Sequence, residues 1–194
     1  MLIRKDQPID INHIIKNIGI PCFVKPNNGG SSCGTSRVNH PDEILPALER
    51  ALNEDREALI EKLLVGTEVT CGLFKTGSAR EVFPLTEIIS KKEFFDYEAK
   101  YTPGMSDEIT PARISAETAQ SVQDLSLLIY DLLDCRGVVR MDYILVDKIP
   151  WFLEVNTAPG MSSHSIIPKQ ASMAGLSLNE LFSILIRDAL SFQL

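Results

Sequence analysis

One stretch of the chain decides the fold: Trp151-Phe152-Leu153-Glu154-Val155-Asn156-Thr157-Ala158-Pro159-Gly160. Its alternation of apolar and polar side chains predicts a short strand that runs into a Pro-Gly loop. Successive side chains of a strand point to opposite faces, so we expect Glu154 and Asn156 to share one face, with Phe152 beside them. The strand would therefore present a carboxylate and an amide together.

A second strand, with charges at alternate positions, is predicted immediately upstream over 138–145. Only 146–150 separate the two strands, which is hairpin spacing. Alternating charges on a hairpin commonly form no more than its solvated face. Here an apolar back is also expected, made by Leu153, Val155, Met141 and Tyr143.

The hairpin register brings four polar side chains together. Centring the pairing on Lys148 places Asp142 opposite Glu154. It also places Arg140 opposite Asn156. Two facing carboxylates repel unless something positive lies between them. The oxygen ligands suit a hard cation such as Mg2+, and Arg140 is left to hold an anion.

A glycine- and serine-rich segment follows a predicted strand that ends at Lys25: Pro26-Asn27-Asn28-Gly29-Gly30-Ser31-Ser32-Cys33-Gly34-Thr35-Ser36. Such a loop lets the backbone approach a ligand and offers N–H and hydroxyl donors to phosphate oxygens. It matches neither GxxxxGK[ST] nor GxGxxG. A phosphate site that includes Lys25 is one interpretation, and a flexible turn beside a solvated lysine is the other.

Composition excludes several classes of function. The 194 residues carry a formal net charge of −7, so no general attraction to nucleic acid or to an anionic membrane is expected. The four cysteines form no CxxC pair, which fits free thiols in a reducing compartment. No apolar run reaches membrane-spanning length. We expect a cytoplasmic protein.

The order of predicted elements favours the α+β class. Helices are predicted over 10–18, from Asn39, from Ser115, ending at Gly175, and from Ser177; strands are predicted over 20–25, 57–64, 68–75 and 82–90, and a loop over 91–110. Strands and helices do not alternate strictly, and hairpins are present. Mixed or antiparallel sheets flanked by helices are therefore expected.

Several motifs occur in a fixed order: Lys25-Pro26 before the glycine loop, Glu61-Lys62-Leu63-Leu64-Val65-Gly66-Thr67-Glu68, Tyr97-Glu98-Ala99-Lys100-Tyr101, Arg140-Met141-Asp142, and Glu154-Val155-Asn156 followed by Thr157-Ala158-Pro159-Gly160-Met161-Ser162-Ser163-His164-Ser165. Together they resemble the C-terminal ATP-grasp part of bacterial D-alanine–D-alanine ligases. The resemblance covers the chain from about Ile3. The Arg-x-Asp and Glu-x-Asn pairs are widespread among ATP-grasp enzymes, whereas the tyrosine loop and the Pro-Gly-Met loop are more particular to these ligases.

The resemblance implies ligands for ATP and for metal ions. ATP would be bound by Lys25, Ser31, Ser32, Glu61, Leu63, Leu64, Glu68 and Lys100. Two Mg2+ ions, which Mn2+ could replace, would be held by Asp142, Glu154 and Asn156.

It also implies catalytic and substrate-binding residues. Arg140 and the backbone N–H of Gly160 would stabilise a tetrahedral intermediate, and Ser31 would belong to a lid over the phosphates. The second D-alanine would be held by Ser165 and Ile166, with Tyr101 helping to choose it.

The implied activity is the ATP- and Mg2+-dependent ligation of two D-alanines through an acyl phosphate, for peptidoglycan synthesis and thus for cell wall and cell shape. A partial first ATP-grasp subdomain with the glycine-rich lid would cover 1–62. A second, with the metal and second-substrate sites, would cover 63–194. A loop over 91–105 would close on the ligands.

The resemblance further implies a domain N-terminal to this sequence, of order a hundred residues. That domain would hold the acidic residue for the first D-alanine, and a further ATP-binding lysine would follow it. We therefore expect this chain alone to be an inactive part of a longer enzyme. These ligases are commonly dimers, so the resemblance allows a homodimer of the full-length protein, although the sequence does not determine its oligomeric state.

Two alternatives stay open. One is a related ATP-grasp ligase that joins D-alanine to D-serine or D-lactate, or another carboxylate to an amine; Tyr101 argues against D-lactate. The other is a non-catalytic domain that binds a nucleotide and keeps the fold. Every motif position expected in this region is filled, which favours catalysis.

Overall fold

The computed structural model describes residues 1–30, 32–77, 79–90 and 106–191. The chain divides into two compact units. The first contains Met1–Leu64, and the second contains Val65–Ile89 with Asp107–Leu194. The division after Leu64 lies close to the predicted subdomain boundary at 62.

The first unit is a four-stranded sheet covered by two helices. Its elements are β1 (Leu2–Arg4), α1 (Ile11–Asn17), β2 (Cys22–Pro26), β3 (Ser36–Val38), α2 (Ile44–Glu54) and β4 (Glu57–Lys62). The strand order is β1-β4-β2-β3, and every pair is antiparallel.

Helix α2 covers one face of this sheet because its apolar residues recur at helical spacing. Its buried residues are Ile44, Ala47, Leu48, Ala51 and Leu52. They pack on Cys22, Val24 and Ile60, which point to the same side of β2 and β4. The alternate residues of these strands, Lys25 and Glu61 among them, point to the other face.

The second unit is built on a six-stranded antiparallel sheet with the order β10-β9-β5-β7-β8, in which β6 also pairs with β5. Its strands are β5 (Thr67–Lys75), β6 (Arg80–Val82), β7 (Thr86–Ser90), β8 (Ser106–Ile109), β9 (Gly137–Val146) and β10 (Ile149–Asn156). Its helices are α3 (Ala116–Leu132), α4 (Ile166–Met173) and α5 (Leu178–Ser191). The predicted α+β class is confirmed.

Helix α3 packs on one face of this sheet. Its N-cap residue Ser115 accepts a hydrogen bond from the backbone N–H of Thr118, as the sequence predicts. Val122 and Tyr130 are buried there against the strand residues Met141 and Tyr143. This leaves the opposite face of β9 for Arg140 and Asp142.

Helices α4 and α5 pack together in a second apolar cluster, formed by Phe74, Phe83, Ile167, Ala171 and Leu181. The predicted capping box of α5 is present. Glu180 N–H donates to Ser177 Oγ at 3.3 Å, and Ser177 N–H donates to Glu180 Oε2 at 2.9 Å.

Two predicted elements differ from the structure, and two strands were not predicted. The strand predicted over 82–90 is two strands, because Pro84 has no N–H for the ladder and lies between them. The loop predicted over 91–110 contains strand β8 in its last part. Strands β1 and β3 have three residues each, too few for a periodic signal. None of the described helices is long and apolar enough to cross a membrane.

Glu87 is held by Arg113 through two side-chain hydrogen bonds of 2.9 Å. Those bonds lower the pKa of Glu87, and burial opposes them to a smaller extent. Because the folded-state pKa lies below the unfolded one, this stabilisation is present at neutral pH. It is lost as pH falls through the folded pKa.

We therefore expect Glu87→Gln to lower the free energy of unfolding by about 2 kcal/mol at neutral pH. The difference from wild type should narrow as pH falls below the ordinary range of a glutamate, about 4.3. Urea unfolding at several pH values measures it, with the exposed Glu81→Gln as control. A difference independent of pH would contradict this assignment.

Candidate functional site

The β9–β10 hairpin closes through a two-residue turn. Asp147 and Lys148 have φ values of +50° and +67°, as a type I′ turn requires at both central positions. Val146 therefore pairs with Ile149. The pairing centre at this end lies between Asp147 and Lys148, half a residue from the predicted centre.

A bulge at Leu153 brings the strand into the predicted register. Asp142 lies opposite Glu154 and Arg140 lies opposite Asn156, as predicted. The same bulge makes one prediction wrong, because it breaks the alternation between Phe152 and Glu154.

Phe152 does not share a face with Glu154. It pairs with Tyr143, and the two rings are 5.7 Å apart in an edge-on arrangement. Tyr143 belongs to the core side that packs on α3, where its hydroxyl lies 2.8 Å from Ser126 Oγ. The carboxylate face is therefore formed without the predicted aromatic neighbour.

Strand β5 extends the carboxylate face, because it pairs with β9 on the side away from β10. Thr70, Asp142 and Glu154 form one row of cross-strand neighbours. Gly72, Arg140 and Asn156 form the adjacent row. We call these the carboxylate row and the arginine row.

Arg140 and Asp142 form a two-pronged ion pair. Arg140 Nε donates to Asp142 Oδ1 at 2.9 Å, and Nη2 donates to Oδ2 at 2.8 Å. Thr70 Oγ1 also donates to Asp142 Oδ1, at 2.6 Å. Only 19% of the Arg140 side chain and 14% of the Asp142 side chain are exposed, so the carboxylate has a fixed orientation.

Several charges act on Arg140. Burial lowers the pKa of its guanidinium, but hydrogen bonds to Asp142 and the charges of Asp142, Glu154 and Glu68 together outweigh it, and the pKa is raised. Among the described residues, the charges of three carboxylates thus act on one guanidinium. Negative charge gathered in this way favours a cation.

The donor set fits Mg2+ in part. Asp142, Glu154 and Asn156 offer only oxygen ligands, which a hard cation prefers. Within the described part of the chain, no group of three or more His, Cys, Asp or Glu side chains could hold a metal ion. A cation here would need further oxygens, and Mg2+ commonly takes these from substrate phosphates and water.

The loop after β10 is held by short contacts. Asn156 Oδ1 accepts a hydrogen bond from the N–H of Ala158 at 3.1 Å, which fixes the amide and leaves the oxygen a second lone pair. A Cβ on Gly160 would lie 2.8 Å from Ser165 Oγ, so a larger residue here would require the Ser165 hydroxyl to turn away.

Ser165 and Ile166 lie where α4 begins. Ser165 is the N-cap residue, yet its side chain makes no cap hydrogen bond. Its hydroxyl lies 2.8 Å from Ser162 Oγ instead. The first turn of this eight-residue helix also contains no acidic residue, so an anion can approach its N–H groups.

In the first unit, Lys25 is paired with Glu61. Lys25 Nζ lies 2.7 Å from Glu61 Oε2, and the exposed fractions of the two side chains are 19% and 36%. Lys25 pairs across the strands with Leu59 and Phe23 pairs with Glu61, so the two charges are diagonal neighbours on one sheet face. A nucleotide that binds either residue would compete with this contact or share its donors and acceptors.

The glycine-rich loop follows β2 directly. Ser32 and Gly34 have positive φ values of 57° and 70°. A Cβ on Gly34 would meet Pro26 and Glu54 side chains at 2.9 Å, whereas one on Gly30 would meet none of the described residues within 4 Å. Gly34 therefore shapes the loop, while Gly30 leaves its backbone open to a ligand.

The remaining predicted site residues fall in different places. Leu63 donates its N–H to the carbonyl of Pro21 at 3.3 Å, and Leu64 is the last residue of the Met1–Leu64 segment of the first unit. Glu68 lies on β5 between Ile144 and Ile88. Ser31, Lys100, Tyr101 and the loop over 91–105 lie outside the described residues.

Three residues of this region were not predicted from the sequence: Thr70, Ser162 and Gln170. Thr70 follows Glu68 by two positions on a strand, so alternation could have placed it on the same face. Gln170 lies three residues after Ile167, on the buried side of α4. The partners of both residues are far away in sequence and could not be predicted.

Comparison with known proteins gives consistent matches. Residues 2–187 match the model of a family described as D-ala D-ala ligase C-terminus. A D-alanine–D-alanine ligase from Bacteroides fragilis is 47% identical over 190 residues, which cover 97% of this chain and 58% of that protein. The chain thus spans little more than half the length of that relative.

Solved structures agree in fold. A Bacillus anthracis D-alanine–D-alanine ligase complexed with ATP superposes with a TM-score of 0.82 at 31% identity, covering 98% of this chain and 59% of that one. The VanG D-Ala:D-Ser ligase from Enterococcus faecalis gives a TM-score of 0.81 at 36% identity, covering 91% of this chain and 51% of that one. The predicted ATP-grasp fold is confirmed.

The hydrogen bond from Thr70 to Asp142 can be tested by substitution. Thr70→Val keeps the side-chain shape but removes a donor to a largely buried carboxylate, so we expect a loss of about 1.5–3 kcal/mol in the free energy of unfolding. Thr70→Ser keeps the hydroxyl and is the matched control. Equal losses in the two variants, measured by urea unfolding, would show that the hydroxyl does not hold Asp142.

Proposed function

Because the chain belongs to the family described as D-ala D-ala ligase C-terminus, we propose that it supplies the nucleotide-binding and acyl-transfer part of an ATP-dependent D-alanine–D-alanine ligase. The carboxylate and arginine rows carry this proposal. They combine an anion-holding guanidinium with two carboxylates and an amide on one sheet face.

The proposed reaction has two steps. The carboxylate of one D-alanine attacks the γ-phosphorus of ATP, ADP leaves, and an acyl phosphate forms. The amine of a second D-alanine then attacks the acyl carbon. Phosphate leaves with the bonding electrons, and the amine loses a proton. The product is D-alanyl-D-alanine, which serves peptidoglycan synthesis.

The first unit would bind ATP. Lys25 would exchange its contact with Glu61 for one with a phosphate oxygen. The freed Glu61 carboxylate could then accept a hydrogen bond from the adenine amino group. The backbone of Leu63 and Leu64 would contact the base. Ser31 and Ser32 of the glycine-rich loop would donate to the phosphates, as would Lys100, and in the second unit Glu68 would hold the ribose.

The second unit would carry the acyl transfer. Arg140 and the N–H of Gly160 are suited to hold the oxyanion that forms when the amine attacks. Ser165 and Ile166 would bind the carboxylate of the second D-alanine at the uncapped start of α4. Tyr101 would help to select that substrate.

Asp142, Glu154 and Asn156 would hold Mg2+, or Mn2+ in its place. The bound cation would neutralise charge on the transferring phosphoryl group. Asp142 keeps one orientation through Thr70, so Arg140 can turn from it without releasing the carboxylate. The unpaired thiols of Cys22, Cys33, Cys71 and Cys135 support a cytoplasmic setting. Assembly as a homodimer is the family expectation.

Nucleotide binding is the first test. Calorimetry of the 194-residue chain with ADP and Mg2+ should detect binding. Lys25→Ala should weaken it about tenfold or more, because a charge-assisted contact of about 1.5–3 kcal/mol is lost. Lys62→Ala is the control, since this exposed lysine follows Glu61 on the same strand. Equal affinities in the two variants would remove Lys25 from the site.

Ligation is tested in a chimera in which this chain replaces the matching 190-residue part of the Bacteroides fragilis relative. The chimera should form D-alanyl-D-alanine from ATP and D-alanine, measured as dipeptide and released phosphate. Glu154→Gln should lower the rate on the order of 100-fold or more, because charge that stabilises the transition state is lost. Glu81→Gln, exposed on β6, is the control.

The outcomes separate the alternatives. A folded chimera that binds ATP but forms no dipeptide would contradict ligation and favour a non-catalytic nucleotide-binding domain. Mixed dipeptide from D-alanine and D-serine in excess over D-alanyl-D-alanine would favour the D-alanine–D-serine alternative. Near-normal activity of Glu154→Gln would remove this residue from the metal site.

A further inference from the structure

Strand β5 has an interrupted neighbour. On the side away from β9, β7 pairs with Glu68–Thr70 and β6 pairs with Leu73–Lys75. Pro84 lies in the break between them. Two backbone groups of β5, the carbonyl of Thr70 and the N–H of Gly72, therefore need partners that no strand supplies.

The side chain of Gln170 supplies these partners. Its Oε1 accepts from the N–H of Gly72 at 3.0 Å, and its Nε2 donates to the carbonyl of Thr70 at 3.0 Å. Nε2 also donates to Thr86 Oγ1 at 3.0 Å. The amide of one side chain thus takes the place of a missing peptide group of the neighbouring strand.

Gly72 makes this approach possible. A Cβ at this position would lie 2.4 Å from Gln170 Oε1 and 2.4 Å from Ile167 Cδ1. Gln170 itself is fully buried, and its neighbours Ile167 and Ala171 belong to the apolar cluster under α4. Burying an amide there is unfavourable unless it is hydrogen-bonded, so packing alone does not explain a glutamine.

The partners of Gln170 are the first members of the two rows. Thr70 is the cross-strand neighbour of Asp142, and Gly72 is that of Arg140. At the other end, Gln170 is five residues from Ser165, or about 7.5 Å along a helix axis. One side chain therefore connects the start of α4 to the strand that supports Asp142 and Arg140.

We propose that Gln170 is a positioning residue that holds the start of α4, with Ser165 and Ile166, in register with Arg140 and Asp142. This inference rests on the proposed function, in which α4 binds the second amino acid. Lys169 adds only an exposed contact of 2.8 Å to Glu108, which is a weak restraint. The buried amide therefore adds a directional restraint to the apolar packing of Ile167 and Ala171.

Gln170→Met is the informative variant, because methionine is similar in length and apolar but can neither accept from Gly72 nor donate to Thr70. Gln123→Met is the matched control. Gln123 Nε2 donates to the carbonyl of Phe83 at 3.1 Å, in the same break between β6 and β7, but from α3. Each variant loses a glutamine side chain that hydrogen-bonds to backbone groups in this break. Only Gln170 belongs to α4.

The first measurement needs no ligand. Hydrogen exchange of the α4 amides in the folded 194-residue chain should be at least tenfold faster in Gln170→Met than in wild type. In Gln123→Met the same amides should exchange as in wild type. Unchanged α4 exchange in Gln170→Met would overturn the inference, whatever ligands the chain binds.

The second measurement separates positioning from simple stabilisation. Mn2+ binding with ADP, followed by electron paramagnetic resonance, should stay within about twofold in Gln170→Met, because strand pairing alone holds Asp142 and Glu154. In the chimera, which supplies the N-terminal part, binding of D-alanyl-D-alanine in the presence of Mg2+ and ADP should weaken at least tenfold. A purely structural role would lower the melting temperature and leave both affinities of the folded variant unchanged.

Failure of the proposed function and failure of the positioning role of Gln170 give different results. If the chimera with the wild-type sequence binds neither Mn2+ with ADP nor the dipeptide, the proposed function fails, and exchange alone then decides whether Gln170 places α4. If wild type binds both and Gln170→Met binds the dipeptide equally well, the proposed function stands and the positioning role is overturned.

Discussion

The antiparallel register of β5, β9 and β10 is the constraint on which the candidate site depends. It aligns Thr70, Asp142 and Glu154 in one row and Gly72, Arg140 and Asn156 in the next. A shift of one residue in either pairing would turn Asp142 or Glu154 to the core side, where α3 packs. Core packing on one face of the sheet therefore determines which polar side chains stand on the opposite face. Val139, Met141 and Tyr143 hold the register because their side chains fill the apolar core between β9 and α3.

Within this frame, Arg140 has two roles that compete for the same atoms. Its guanidinium neutralises Asp142, which would otherwise face Glu154 without compensation. The same guanidinium is the group best suited to hold an oxyanion. Thr70 reduces the conflict, because its hydroxyl supports Asp142 independently of Arg140. A carboxylate supported from two sides can change one partner and keep its place.

Local contacts were predictable from the sequence and distant ones were not. The hairpin connects neighbouring segments, so alternation and a short connection were enough to place Asp142 opposite Glu154. The bulge at Leu153 carries no residue-type signal, and for that reason the face of Phe152 was predicted wrongly. Thr70 and Asp142 are 72 residues apart, and no periodicity reports such a pairing. Gln170 has a pattern, a polar residue on an apolar helix face, but its meaning depends on the break between β6 and β7.

The Lys25–Glu61 pair determines how a nucleotide can be recognised in the proposed function. Each charge is held by the other, so a ligand that engages only one of them leaves its partner as a partly buried, unpaired charge. Adenosine offers no anion to Lys25, and inorganic triphosphate offers no donor to Glu61. A fragment that separates the pair would satisfy only half of it. A whole nucleotide separates the pair once and satisfies both halves. Base and phosphate recognition are thereby coupled, and the site discriminates against the parts of its own ligand.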